Sequence, residues 1–321
     1  MKCKSEAIKL MNMYGGASEP FVFLIDFDMN NTIVCKTEEA DKFGLKYSIN
    51  EKQERDALSE NIKLEKIPPS FGDYKKAFDI VFKEIYDGNT YLLNLTFPTR
   101  IKTDLSLDQI YELSRSKYKI LLKDRFVCFS PEIFVKIKDG RISSYPMKGT
   151  IDASIPNAEE LILSDEKETA EHNTIVDLIR NDLSIAAKNV RVEKFRYIDI
   201  IETHDKTLLQ VSSEITGELP PDYKRRLGDI IFSLLPAGSV TGAPKKRTVD
   251  IIKRAENYKR GFYTGIFGIF DGESLDSCVL IRFIESIDGK LFYKSGGGIT
   301  HLSNVESEYE ELLKKIYVPI N

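Results

Sequence analysis

Lys148 sits in the run Pro146-Met147-Lys148-Gly149-Thr150, directly after a stretch of strand character. A lysine there could serve as a nucleophile if a nearby cation and loss of solvent lowered its pKa, because only the neutral amine attacks. Glu132, in Ser130-Pro131-Glu132, lies one hairpin earlier in the chain. Antiparallel pairing could bring its carboxyl beside Lys148, either as an acid for a leaving group or as a plain ion-pair partner. Two carboxylate pairs add a second kind of chemistry. Glu168 and Glu171 are three apart in one helical segment, and Glu308 and Glu311 are three apart in another. Each pair therefore projects from one helix face. Carboxylate oxygens are what a hard divalent cation such as Mg²⁺ takes. Taken alone, the signal is weak, because glutamates at this spacing are ordinarily a solvated helix surface, and Glu168 has a capping explanation of its own.

Two glycine-bearing segments complete the set. Ser295-Gly296-Gly297-Gly298-Ile299 follows a strand, and Gly238-Ser239-Val240-Thr241-Gly242-Ala243-Pro244 precedes a helix. Backbone N–H groups exposed in such loops bind anionic oxygens, although ordinary turn chemistry gives the same composition. Neither segment fits a P-loop or a G-x-G-x-x-G nucleotide fingerprint.

The elements that must carry these residues follow from periodicity. Phe21 to Asp28 reads as a buried strand, Phe71 to Tyr86 as an amphipathic helix and Tyr91 to Thr96 as a short strand. Arg125 to Phe129, Ile133 to Lys138 and Arg141 to Tyr145 read as consecutive antiparallel strands, the last two joined at Asp139-Gly140. Asp165 caps a long helix from about Glu166 to Lys188, with Glu168 completing a D-x-x-E box. A helix over Tyr223 to Phe232 follows, and then one whose first turn holds Pro244 and which runs to about Glu256. Strands are expected at Tyr263 to Phe270, Ser277 to Ile284 and Lys290 to Tyr293, with a closing helix from about Glu306 to Ile316. No repeat or low-complexity linker interrupts the chain. The expectation is an α+β fold, a single large domain over residues 1–321 built of two packed antiparallel β-sheets flanked by helices. Within it 1–60 is a shortened N-terminal part and 71–321 the catalytic core; a seam near residue 60 is the alternative.

Composition narrows the class. The 321 residues are 42% hydrophobic and 30% charged, with a net charge of −4. That describes a folded chain with a sizeable core and no basic field for nucleic acid or an acidic membrane. No apolar run reaches membrane-spanning length and no signal-peptide pattern is present, so a cytoplasmic protein is expected. Cys3, Cys35, Cys128 and Cys278 have no CxxC spacing and no companion histidines, so packed thiols are expected rather than disulfides or a zinc site.

Taken in order, Ser130-Pro131-Glu132, PMKGT, DEKETAEHNTIVDLIRNDL (165–183), GSVTGAPKKR (238–247), RGFYTGIFG (260–268), LIRF (280–283) and SGGGITHLSNVESEYEELLKK (295–315) resemble the chorismate-utilising family. That family comprises anthranilate, aminodeoxychorismate, isochorismate and salicylate synthases, and the fold implied is that of anthranilate synthase component I. The resemblance implies that Glu171 and Glu311, with Glu168 and Glu308 around them, bind Mg²⁺, which holds the ring carboxylate of chorismate. It places Gly149, Thr150, Tyr263, Arg282, Gly296, Gly298 and Lys315 in the substrate pocket and makes Glu132 the acid that protonates the departing 4-hydroxyl. At position 148 the anthranilate synthases resemble PIAGT and the C4-aminating members PIKGT, so Lys148 implies amination at C4 through a covalent lysine intermediate. Water-using members carry a base lysine where this chain has Leu92, which speaks against isochorismate and salicylate synthesis. Gln210 stands where the family usually has a histidine; His172 matches the family, and His204 reads as a surface residue. No cysteine lies in a glutaminase setting, so ammonia is expected from a separate glutamine amidotransferase subunit, and a lyase would be needed to reach 4-aminobenzoate.

Overall fold

The structure is a computed structural model and describes residues 1–50, 64–202 and 207–318. His204 and the proposed seam near residue 60 fall outside the described residues. The chain forms two compact units, each assembled from separated segments. One comprises Met1–Thr37, Glu132–Ser239 and Gly265–Val279; the other comprises Glu38–Pro131, Val240–Thr264 and Leu280–Asn321. Each unit is organised on one antiparallel sheet with helices, so the α+β expectation with two antiparallel sheets holds. Among the described residues no helix is long and apolar enough to cross a membrane.

The first unit's sheet runs in the order Met147–Asp152, Thr207–Glu218, Arg141–Ser144, Ile133–Lys138, Leu275–Val279, Ile266–Phe270, Phe21–Ile25 and Thr32–Lys36. The strand Lys188–Glu202 adds to Thr207–Glu218. Phe21–Ile25 is buried at every position, as its unbroken apolar run requires of a strand covered on both faces. The helix Glu166–Ala186 packs on the strands Met147–Asp152, Lys188–Glu202 and Thr207–Glu218. It starts where expected because the Asp165 side chain accepts the Glu168 N–H at 2.8 Å. A helix over Lys4–Gly16, not anticipated from periodicity, packs against the turn Tyr223–Arg226 and the helix Leu227–Ser233.

The second unit's sheet runs Gly242–Ala243, Leu92–Lys102, Lys290–Ile299, Phe283–Ile287, Phe126–Ser130, Tyr118–Leu122 and Leu45–Ile49, with Glu65–Ile67 added to Leu92–Lys102. The helix Phe71–Tyr86 buries Tyr74, Ala77, Phe78, Val81 and Ile85, a stripe at helical spacing, and Ser70 caps it by accepting the Asp73 N–H at 3.1 Å. An apolar core of Ile101, Ile110, Leu121, Val127, Phe129, Ile284 and Tyr293 lies in this unit.

Five expectations are corrected. The strand expected over Tyr91 to Thr96 runs on to Lys102 through Pro98, which stands opposite Lys294. Phe126–Ser130 and Ile133–Lys138, read as neighbours, belong to different sheets, because the chain leaves the second unit's sheet at Ser130 and enters the first unit's at Ile133. The strand expected over Ser277 to Ile284 is two strands, broken where Arg282 takes a left-handed conformation (φ 55°). The segment Ser295–Ile299 is not a loop. It prolongs Lys290–Ile299 and pairs along its length with Leu92–Lys102. Pro244 caps the helix Lys245–Ala255 from outside instead of occupying its first turn.

Candidate active site

In the first unit, the strand Met147–Asp152 places Lys148. Lys148 stands opposite Val211, and the register shifts between Lys148 and Thr150. Gly149 makes that irregularity possible with φ +73°, a conformation that costs any residue with a Cβ. A Cβ there would also stand 3.4 Å from Glu168 Oε2 and from Ile162. Lys148 Nζ donates to Glu171 Oε2. Glu171 is 7% exposed and Lys148 29%, so this ion pair is partly withdrawn from water and stronger than a surface pair. The neighbouring His172 is buried, with Nε2 2.7 Å from Ser213 Oγ. Ser213 Oγ accepts the Arg196 N–H at 2.9 Å and its own N–H reaches the Pro146 carbonyl at 3.0 Å. His172 and Ser213 are thus joined by one hydrogen bond, and among the described residues the buried His172 Nδ1 has no partner. Burial first, then the Arg196 and Lys148 charges, push the His172 pKa down to about 4, so the ring is neutral.

Through Ser213, the strand that carries Lys148 is fastened to the helix that carries Glu171. Nothing in the sequence pattern singled Ser213 out. Gln210, opposite Thr150, donates to the Thr150 hydroxyl at 3.4 Å. Glu132 heads the strand Ile133–Lys138, and its Oε1 accepts from Ser239 Oγ at 2.5 Å. The neighbours of that strand are Arg141–Ser144 and Leu275–Val279. Strand pairing therefore does not set Glu132 beside Lys148; its hydroxyl partner comes from the glycine-bearing segment 238–244.

In the second unit, Asn304 caps the helix Val305–Lys314 by accepting the Ser307 N–H at 3.0 Å. Glu308 and Glu311 then project, one turn apart, toward the glycine strand. A Cβ on Gly297 would stand 3.3 Å from Glu308 Oε2, 3.8 Å from Glu311 Oε1 and 3.9 Å from Lys315 Nζ. Glu308 is buried and accepts from Ser303 Oγ at 2.7 Å. Lys315 Nζ donates to Glu311 Oε1 at 2.6 Å and to the Gly296 carbonyl at 2.9 Å. Burial, reinforced by the Glu308 and Glu311 charges, raises the Tyr74 phenol pKa. Gly298 lies against the buried Leu92, whose Cδ1 would be 3.1 Å from a Cβ.

Tyr263 is buried and packs on Phe283 with ring centroids 5.8 Å apart. The Arg282 guanidinium lies 5.3 Å over the Tyr317 ring. Burial works against the Arg282 charge, but the Tyr317 and Tyr293 hydroxyls outweigh it and hold the pKa above its ordinary value. It is therefore a dependable cation for a carboxylate.

Among the described residues no three His, Cys, Asp or Glu side chains form a ready metal cage. Each unit instead holds a carboxylate pair on one helix. Pairs of carboxylate oxygens fit Mg²⁺, which keeps several waters and takes few protein ligands, and fit zinc or copper poorly.

The model of the chorismate binding enzyme family matches residues 23–321, and the chain belongs to that family. The match begins in the strand Phe21–Ile25, well before the motif-bearing segment from residue 71. A protein of Pasteurella multocida described as an uncharacterized PabA-like protein is 50% identical over 317 residues, covering 98% of both chains. Anthranilate synthase component 1 of Archaeoglobus fulgidus is 35% identical over 243 residues, 73% of this chain and 58% of its own. Aminodeoxychorismate synthase component 1 of Bacillus subtilis is 33% identical over 259 residues, 76% of this chain and 54% of its own. Among solved structures, anthranilate synthase component I of Streptococcus pneumoniae superimposes with a TM-score of 0.65 at 25% identity, over 79% of this chain and 58% of that one. MenF, the menaquinone-specific isochorismate synthase of Escherichia coli, shares the fold with a TM-score of 0.73 at 16% identity, over 98% and 81%.

Proposed function

We propose that the chain is the synthase component of an aminodeoxychorismate synthase, aminating chorismate at C4 with ammonia in the presence of Mg²⁺. The observation that carries this reading is Lys148, an amine on a glycine-kinked strand in contact with Glu171. Identity does not separate the branches, since the anthranilate and aminodeoxychorismate relatives match almost equally well; the reading rests on the residue at 148.

In this reading the neutral amine of Lys148 adds to C2 of the ring while the C4 hydroxyl, protonated by Glu132, departs as water. Ammonia then adds at C4, the double bonds return and the lysine amine leaves C2. One chorismate and one ammonia give one 4-amino-4-deoxychorismate and one water, and two easier displacements replace one hard one. Lys148 attacks only unprotonated, so its ion pair with Glu171 is the resting state and the attacking state has that pair broken. Ser239 holds the Glu132 carboxyl in place. Glu168, Glu171, Glu308 and Glu311 are the proposed metal ligands, and bound Mg²⁺ supplies charge to anchor and polarise the ring carboxylate. Gly149, Thr150, Gly296, Gly298, Tyr263, Arg282 and Lys315 are assigned to substrate binding, with the two cations taking carboxylate charge.

None of the four cysteines is in a disulfide; Cys35, Cys128 and Cys278 are buried and Cys3 is exposed. No thiol stands in a glutaminase setting, so a separate glutamine amidotransferase supplies the ammonia in the cytoplasm, on the way to 4-aminobenzoate and folate. The test is the purified chain with chorismate, Mg²⁺ and an ammonium salt, its product identified with and without an added aminodeoxychorismate lyase. The expected product becomes 4-aminobenzoate only with the lyase. Anthranilate as the main product would replace this reading with that of anthranilate synthase component I, and chorismate binding without turnover would leave a non-catalytic subunit.

A further inference from the structure

Thr264 follows Tyr263 and has φ 61°. A β-branched residue in the left-handed region is a genuine outlier and persists only where its surroundings hold it. Here they do so from three directions. Its N–H donates to the Leu280 carbonyl at 2.8 Å. Its hydroxyl donates to the Tyr263 carbonyl at 2.6 Å. The same oxygen accepts from Arg260 Nη1 at 3.3 Å.

Arg260 is itself almost fully buried. It holds Glu256 in a bidentate pair, Nε to Oε2 at 2.8 Å and Nη2 to Oε1 at 2.6 Å. Its remaining N–H groups reach the Val240 carbonyl at 2.8 Å and the Asn94 carbonyl at 2.7 Å. All five guanidinium donors are used, as a buried arginine requires. Glu256 in turn accepts the Thr96 N–H at 2.9 Å and the Thr96 hydroxyl at 2.8 Å, in the strand opposite Gly296. Two residues beyond Leu280, Arg282 is the other left-handed non-glycine residue at this place (φ 55°). The Thr264–Leu280 bond therefore joins two strained turns, one presenting Tyr263 and the other Arg282.

We propose that the Thr264 hydroxyl, held by Arg260, is a positioning device that fixes Tyr263 and Arg282 relative to each other for binding the substrate carboxylate. This rests on the assignment of Tyr263 and Arg282 to chorismate. A chain selected only for stability would put glycine or asparagine at position 264. Threonine there trades conformational ease for a hydroxyl that ties the turn to its own carbonyl and to the buried arginine.

The test is the Kd for chorismate, measured calorimetrically with Mg²⁺ on folded protein, alongside circular dichroism and the melting temperature. Thr264→Val removes the hydroxyl at equal volume, Thr264→Gly removes it while relieving the left-handed strain, and Thr264→Ser keeps it. The expected result is a Kd about tenfold weaker in the Val and Gly variants and within about twofold of wild type in the Ser variant. Should Thr264→Val fail to fold, Thr264→Gly decides. Wild-type Kd in Thr264→Gly overturns the proposal, as does equal weakening in all three variants, which would show a packing role only. A wrong reaction assignment shows up separately, as wild-type protein that binds chorismate but forms no C4-amino product.

Discussion

At the level of single residues, the pairing of Lys148 with Glu171 makes a prediction with two opposed parts. Lys148→Met keeps the side chain's length but leaves a carboxylate that is 7% exposed without its ammonium. Breaking a buried pair from one side is costly, and partial exposure of Lys148 tempers the loss to about 2 kcal/mol. If Glu171 is a metal ligand, the same variant should be stabilised by millimolar Mg²⁺ more than the wild type, because an ammonium no longer competes for the oxygen; melting temperatures across a Mg²⁺ titration measure both. C4 amination should vanish, and near-normal amination at any ammonia concentration would remove the covalent step. His172 gives a pH prediction. Its pKa falls from an ordinary 6.5 to about 4 on folding, so on acidification the unfolded chain takes up the proton first. The stabilisation is complete above pH 6.5 and is lost between about 6.5 and about 4, amounting to at most about 3 kcal/mol. In His172→Gln that share of the acid-limb slope should disappear from the difference between variant and wild-type denaturation curves. Lys148, Glu132 and the four glutamates were legible as candidates because motifs name residue types at fixed spacing, although the strands do not pair Glu132 with Lys148 as expected. Ser213, Arg196 and Ser239 were not, since a serine hydroxyl between two elements far apart in sequence leaves no periodic mark.

The glycine run shows what happens between residue and fold. Three glycines in a row have poor strand propensity, so Ser295–Ile299 reads as a loop; pairing with Leu92–Lys102 overrides that preference. The reason for the glycines is close approach. A Cβ on Gly296 would lie 2.5 Å from the Leu95 carbonyl oxygen and 2.5 Å from Thr96 Cγ2, and that backbone oxygen has nowhere to go. Gly296→Ala should therefore destabilise the chain by about 2 kcal/mol, visible as an earlier urea midpoint with an unchanged slope. Gly297→Ala differs in kind, because its Cβ meets the end of the Glu308 side chain at 3.3 Å, which can swing away. There the stability change should be under about 1 kcal/mol while Mg²⁺ affinity falls, a separation that Gly296→Ala would not give. The Ser277 to Ile284 strand misled for the opposite reason: its apolar run is broken only by Arg282, and the left-handed turn there divides it.

For the molecule as a whole, the chain builds two compact units by passing between them at 37/38, 131/132, 239/240, 264/265 and 279/280. No local signal marks these passages; they follow from long-range strand pairing. Each unit is committed to its own sheet, and Cys35, Cys128 and Cys278 are packed within them, with burial pushing the Cys128 thiol well above its ordinary pKa. Only Cys3 is exposed. A thiol reagent should therefore label one cysteine in the native chain and four after denaturation. If glutamine hydrolysis belongs to a separate subunit, labelling the native chain should leave ammonium-dependent turnover intact. Glutamine alone should support no turnover until a glutaminase is added, and should then depend on that subunit's thiol. Loss of ammonium-dependent turnover on labelling Cys3, or turnover with glutamine by this chain alone, would place a reactive thiol in its own chemistry, against the burial seen for three of its four cysteines.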